Sequence, residues 1–347
     1  RGWISNTNGD GVISAGMGMV GLAIGYDPYI TSAREMLDKM LKSQLIEGLH
    51  QSGPGSGIEA MDSAVNLFYG LKNSGRSDYY LNDSFRRYLD ATLHMISPVG
   101  TLPLFGNTSL DQADRVSAFF LKTANHVSVK EGRECLAAYH RYWSHGRYHA
   151  EGWLKWFLPA VQSIGMTFAN PHIFLQYTRD LPPSALRASS AILGDGQCAV
   201  LRTGQGADDA YVALNMSRSA YSAHRDILTF DMYACGSLLL HGSGFPGDGN
   251  VGFEESAKTA AANSITFNNE DQNSARNTGI ASSLLNQPVF DYVRALADKA
   301  YDHGSVQRDV VLVRPEKGHP AYFLLFDHVY TPASETSVQW HLHGRGN

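Results

Sequence analysis

The chain has 347 residues, 43% hydrophobic and 18% charged, enough apolar material for a large core and too much for a disordered polymer. Its formal net charge of -5 argues against a general nucleic-acid binder, though a local basic groove for an acidic polymer remains compatible with it. No run of about 18 apolar residues offers a membrane span, and the scattered Cys135, Cys198 and Cys235 have neither disulfide-scaffold nor metal-ligand spacing.

The first half reads as helices. Apolar residues recur every three to four positions over 33–45, 61–73, 83–95, 112–125, 130–143 and 152–164. Gly/Pro/Asn/Ser connectors at 48–57, 97–106 and 144–149 separate them. Helices without intervening strands predict a serial array of antiparallel pairs. After Leu181-Pro182-Pro183 the period drops to two, over 198–204, 210–217, 227–233, 263–269, 309–315 and 321–329. The expected class is α+β, with a helical domain over 1–181, an antiparallel sheet domain over 182–347 and a ligand crevice between them. The chain starts at Arg1 rather than Met, as expected of a processed protein or a fragment, so an export signal would lie outside it.

One stretch carries more chemistry than a strand requires. YSAHRDILTFDMYACGSLLLHGSG (221–244) alternates like a strand yet holds His224, Arg225, Asp226, Asp231 and His241. A guanidinium pairs bidentately with a carboxylate, so Arg225 suits an acidic ligand. For His224 the alternative is a buried, hydrogen-bonded histidine. His224 and His241 together offer two donors to one structural divalent ion, Zn or Ca, with a third ligand unidentified. His50 lies in a glycine-rich loop that reads as too polar for a core, with Gln51 beside it as a sugar-hydroxyl partner. Asn6 and Asn8 precede a helix, where Asn-Gly loops also serve as caps and turns. Arg202 and Arg218 at strand ends would line a groove for an acidic polymer, unless they only solvate a face. Trp143, Arg147 and His149, around SHGRYHAEGWLKW, would wall a sugar subsite, although aromatics at helical spacing are more often core.

Three stretches taken together resemble the sheet domain of the heparinase II/III-like polysaccharide lyases: LPPSALRASSAILGDGQCAVLRTG, AHRDILTFDMYACGSLLLHGSG and TAAANSITFNNEDQ. They are similar to that family's His-x-His-x-Asp strand, Gly-x-x-Leu-Leu turn and Ala-His-Asn-Thr/Ser strand. Residues 290–293, Tyr301, 308–311 and 326–329 resemble its later strands. The N-terminal half resembles its (α/α) toroid, cut short at the start. There Asn6-Thr7-Asn8-Gly9 is similar to the Asn-rich loop and residues 48–54 to the His-bearing Gly-Pro loop.

The resemblance implies an incomplete (α/α) toroid followed by an antiparallel β-sandwich. It implies β-elimination on a uronic-acid polysaccharide such as alginate or a glycosaminoglycan, by a secreted or periplasmic enzyme without an organic cofactor. In that chemistry the carboxylate is neutralised, a base removes the C5 proton and an acid protonates the leaving oxygen. On the resemblance, Asn8 and Arg225 neutralise, with Asn6 in reserve, and His50 or His224 is the base. The family's tyrosine is missing from 55–61, where Ala60 marks a possible vacancy, so Tyr221 stands as the substitute acid. Ser222 and Ala262 replace two family histidines. Three alternatives stay open: an impaired relative that only binds acidic polysaccharide, a uronate C5-epimerase, and a toroid glycoside hydrolase using Glu59 and Asp62.

Overall fold

A computed structural model describes residues 9–109, 112–144, 182–216, 224–246, 252–273, 279–332 and 334–344. Six helices come first: α1 (Gly9–Ile24), α2 (Asp27–Ser43), α3 (Pro54–Asn73), α4 (Asp83–Met95), α5 (Ala113–Thr123) and α6 (Val129–Ser144). Their starts follow local chemistry. Pro54 opens α3, where a missing N–H costs nothing. The Asn82 side chain accepts the Ser84 and Phe85 N–H groups at the head of α4. Between α2 and α3 a short hairpin pairs β1 (Leu45–Ile46) with β2 (Leu49–His50). It turns through Glu47 and Gly48, both at positive φ. This hairpin delivers His50 to the head of α3. None of the described helices is long and apolar enough to cross a membrane.

The strands that follow are β3 (Ala191–Leu193), β4 (Cys198–Arg202), β5 (Tyr211–Asn215), β6 (Phe230–Ala234), β7 (Ser237–Leu240), β8 (Ile265–Phe267), β9 (Ile280–Asn286), β10 (Phe290–Ala297), β11 (Ser305–Val313), β12 (Tyr322–Tyr330) and β13 (Val338–Trp340). Strands β3 to β7 form an antiparallel sheet in chain order, β9 to β12 form a second, and β8 pairs with β13. A one-turn helix, α7 (Phe253–Ser256), lies between β7 and β8.

Period-two geometry divides the five-stranded sheet between two cores. Cys198, Val200, Tyr211, Ala213, Tyr233 and Leu238 join the helical core, with Met61, Phe68, Phe85 and Phe119. Ala199, Leu201, Val212, Leu214 and Phe230 join a second core with Val293, Ala295, Val306, Val310 and Leu312 of the other sheet. The five-stranded sheet is therefore a middle layer, covered on both faces.

The connector after α4 is stitched onto that layer by side chains. Arg202, expected to line an open groove, is buried instead, and its guanidinium donates to the carbonyls of Arg187 (2.7 Å), His94 (2.6 Å) and Ile96 (3.0 Å). Tyr211 donates to the Met95 carbonyl at 2.6 Å, and the Tyr233 hydroxyl meets Thr101 Oγ1 at 2.8 Å. Asp231 accepts the N–H of Leu104 at 2.5 Å and of Gly242 at 3.3 Å, and Asp226 accepts the N–H of Gly106 at 2.8 Å.

Two outcomes follow from these buried groups. Arg202→Met strands three carbonyls and should cost about 3 kcal/mol or more, read by urea denaturation. Burial pushes the Asp231 carboxyl from its ordinary 3.8 up to about 7, against the lowering pull of its two N–H partners. The folded state thus holds this proton more tightly than the unfolded chain. The resulting stabilisation is fully present below pH 3.8 and is lost as pH rises through about 7. Thermal unfolding across that window should show the decline in wild type, and Asp231→Asn should remove this component of it.

Candidate active site

His50 closes β2 and is only 5% exposed, contrary to the open loop expected of a Gly/Ser-rich stretch. The Ser52 N–H donates to Nδ1 at 3.2 Å, so Nδ1 is an acceptor and the neutral ring carries its proton on Nε2. That proton faces Gln44 Oε1 at 3.3 Å. The Gln44 amide is oriented in turn by donating to Asp10 Oδ2 at 3.1 Å. Burial lowers the His50 pKa to about 4, keeping the ring neutral. His50, Gly53, Pro54 and Tyr88 from the helical half, with Cys198 and Asn215 from the sheet, border a cavity of about 20 Å³. That is space for roughly one water and far too little for a sugar ring. Gln51 donates to the Ser43 carbonyl at 2.6 Å.

On the sheet side His224 is buried, edge-on to Phe245 at 6.4 Å and Phe253 at 6.2 Å between ring centroids. Burial lowers its pKa and raises that of Asp226, while the attraction between the two opposes both shifts. Asn215, which borders the His50 cavity, donates to the Asp226 carbonyl at 3.2 Å. Ser52, two residues beyond His50, accepts the Asn107 N–H at 2.9 Å, and the adjacent Gly106 N–H goes to Asp226. The His50 loop and the His224 segment therefore meet at the same short stretch of backbone.

Arg225 differs from its neighbours. Its side chain is 35% exposed, and Nη1 pairs with Asp271 at 2.9 Å. The other Asp271 oxygen is held by the Thr259 N–H at 2.8 Å. Among the described residues Nε and Nη2 of Arg225 make no hydrogen bond, which leaves an edge for a carboxylate. His241 Nδ1 donates to the Gly242 carbonyl at 2.6 Å, leaving Nε2 as its ligating nitrogen. Among the described residues no group of three or more His, Cys, Asp or Glu side chains is placed to hold a metal ion.

Asn6, Asn8, Arg147, His149, Arg218, Tyr221 and Ser222 lie outside the described residues, as does the side chain of Trp143 in the last turn of α6. Glu59 and Asp62 are paired with Arg115 at 2.6 Å and Lys122 at 2.7 Å. Ala60, the position where a tyrosine could be missing, has no open space around it. It is fully buried where α3 crosses α1, and a Cβ on Gly11 would lie 2.6 Å from its carbonyl oxygen. Sequence reasoning passed over Asp10, Gln44, Tyr88 and Asn215, which sit in ordinary helix and strand segments and meet His50 only through topology. Ala60→Tyr should overpack this crossing, costing about 3 kcal/mol and lowering the thermal midpoint without a gain in turnover.

No protein-family model and no curated protein matches the chain. Solved structures do. A crystal structure of heparinase III matches with a TM-score of 0.60 at 12% identity, over 92% of this chain and 46% of its own length. A second heparinase III gives a TM-score of 0.59 at 15% identity, over 92% of this chain and 45% of its own. The chain thus spans less than half the length of those proteins, and identities this low speak to fold alone. Its arrangement of helices followed by antiparallel sheets is a heparinase-like fold.

Proposed function

We propose that the protein is a polysaccharide lyase that cleaves a uronate-containing glycosaminoglycan by β-elimination. The observation that carries this reading is the heparinase III-like fold, which extends over 92% of the chain. Arg225 supports it with a half-exposed guanidinium whose outer edge is unoccupied by described groups. In this reading that edge grips the uronate carboxylate, and draining its charge makes the C5 proton acidic. His224, kept neutral by burial, accepts the proton. Tyr221 protonates the departing glycosidic oxygen, and Asn8 donates a second hydrogen bond to the carboxylate. Arg218, Arg147, His149 and Trp143 flank the polymer. Action on such a polymer goes with a secreted or periplasmic location.

A second reading, binding without elimination, is favoured by His50. Both its ring nitrogens are engaged inside the protein, and its cavity is too small for substrate. Incubation with heparan sulfate, and with alginate for comparison, separates the two. Elimination should raise ultraviolet absorbance as the conjugated uronate forms, with shorter chains as products. Arg225→Ala should lower kcat/KM about 100-fold, the scale for losing a charged contact to the developing enolate. Retained binding without new absorbance selects the second reading. Inverted uronate in chains of unchanged length indicates epimerisation, and neither binding nor turnover rejects lyase and binder alike.

A further inference from the structure

Elimination needs groups from both halves around one sugar ring, so the start of α1 and the His224 segment must be held in register. A hydrogen-bonded path connects them. Asp10 lies in the first turn of α1, two residues after Asn8, and is buried. Its Oδ2 accepts from Gln44 Nε2 at 3.1 Å, and Gln44 Oε1 faces His50 Nε2 at 3.3 Å. His50 Nδ1 accepts the Ser52 N–H at 3.2 Å, and the Ser52 carbonyl accepts the Asn107 N–H at 2.9 Å. One residue back, the Gly106 N–H reaches Asp226 at 2.8 Å, two residues beyond His224.

The backbones touch where this path crosses from the His50 loop to the connector. A Cβ on Gly53 would lie 2.5 Å from the Phe105 carbonyl oxygen, and one on Gly106 would lie 2.8 Å from that of Ser52. Both glycines also hold positive φ, so contact and conformation demand the same residue. Gln44 must donate and accept through a single amide. It donates to a carboxylate on one side and accepts from a ring N–H on the other. An amide does both, whereas Glu lacks the donor and Leu lacks both groups.

We propose that Gln44 is a positioning residue: by bridging Asp10 and His50 it sets the register of the start of α1 against the His224–Arg225 segment. This deepens the elimination reading and rests on it for its catalytic consequence, but the bridge itself is testable without turnover.

The experiment compares wild type with Gln44→Leu by ¹⁵N-resolved NMR and by kinetics on heparan sulfate. Wild type should show a slowly exchanging His50 ring proton on Nε2, and Gln44→Leu should lose it. The Gly106 and His224 amide signals, remote in sequence from the substitution, should shift in the variant. Turnover should fall about ten-fold or more with KM within about three-fold, the pattern of a misplaced rather than a missing contact. A His50 ring proton on Nδ1 in wild type, or unmoved Gly106 and His224 signals in Gln44→Leu, overturns the proposal. Normal kcat in a variant whose ring proton is lost overturns it too. If wild type shows no turnover, the elimination reading fails by itself, and the ring-proton and amide signals still decide whether Gln44 sets the register.

Discussion

The structure depends on satisfying the backbone of one buried stretch, the end of α4 and the connector after it, residues 94–106. It lies between helices and the five-stranded sheet, where an unpaired N–H or C=O costs as much as a lost hydrogen bond. The sheet supplies the partners from a single face. Arg202 pairs in register with Tyr211, Tyr211 with Tyr233, and Ala213 with Asp231. Because side chains alternate, Arg202, Tyr211, Tyr233 and Asp231 all point toward the helices. Arg202 also stacks over the Tyr211 ring at 4.9 Å. Carbonyls of the connector meet guanidinium and phenol, and its N–H groups meet carboxylates.

This arrangement explains why 221–244 carries so much ionisable chemistry. Asp226 and Asp231 are acceptors for the connector, an architectural task that brings His224 and Arg225 to the junction with them. The same segment is also held from the opposite side. Arg308, fully buried on β11, pairs with Asp327 at 2.7 and 2.8 Å and donates to the carbonyls of Leu228 and Asn263. Leu228 sits at positive φ, a conformation a leucine keeps only when its surroundings enforce it. The connector grips the segment through Gly106, and the outer sheet grips it through Arg308.

The sequence announced the change of period and the two kinds of element, since both follow from where apolar residues recur. Helix α4 appears over the same residues, 83–95, that its pattern predicts. Helix α1 is expected after Asn8 but cannot be bounded from the sequence, for a physical reason. Its inward face is built from Gly11, Ser14, Ala15, Gly18 and Gly21, which pack by close approach and give no apolar stripe. The polar face of β4 to β6 misled differently. Alternation signals one polar side but does not say whether that side meets water or buried backbone, so Arg202 read as a groove arginine. Gln44 gave no signal at all, because the cap of a helix seldom announces a partner 34 residues away in Asp10.

Three arginines near the junction show how packing can be separated from chemistry. Arg202 donates to three carbonyls and Arg308 to two carbonyls and a carboxylate, both buried, so each guanidinium is spent on the fold. Arg225 has the same donor set but offers one nitrogen to Asp271 and keeps solvent access. A buried cation with all its partners inside the protein cannot respond to a ligand without breaking the core, whereas a partly exposed one whose outer edge meets no described group can add a carboxylate while keeping its anchor. Arg202 ends β4 and Arg225 lies in the loop before β6, so residue type alone does not separate them. Solvent access is what distinguishes them, since Arg202 Nε is buried without a partner whereas Arg225 faces outward, and on the proposed lyase reading it makes Arg225 the member of the set that would meet a negatively charged sugar.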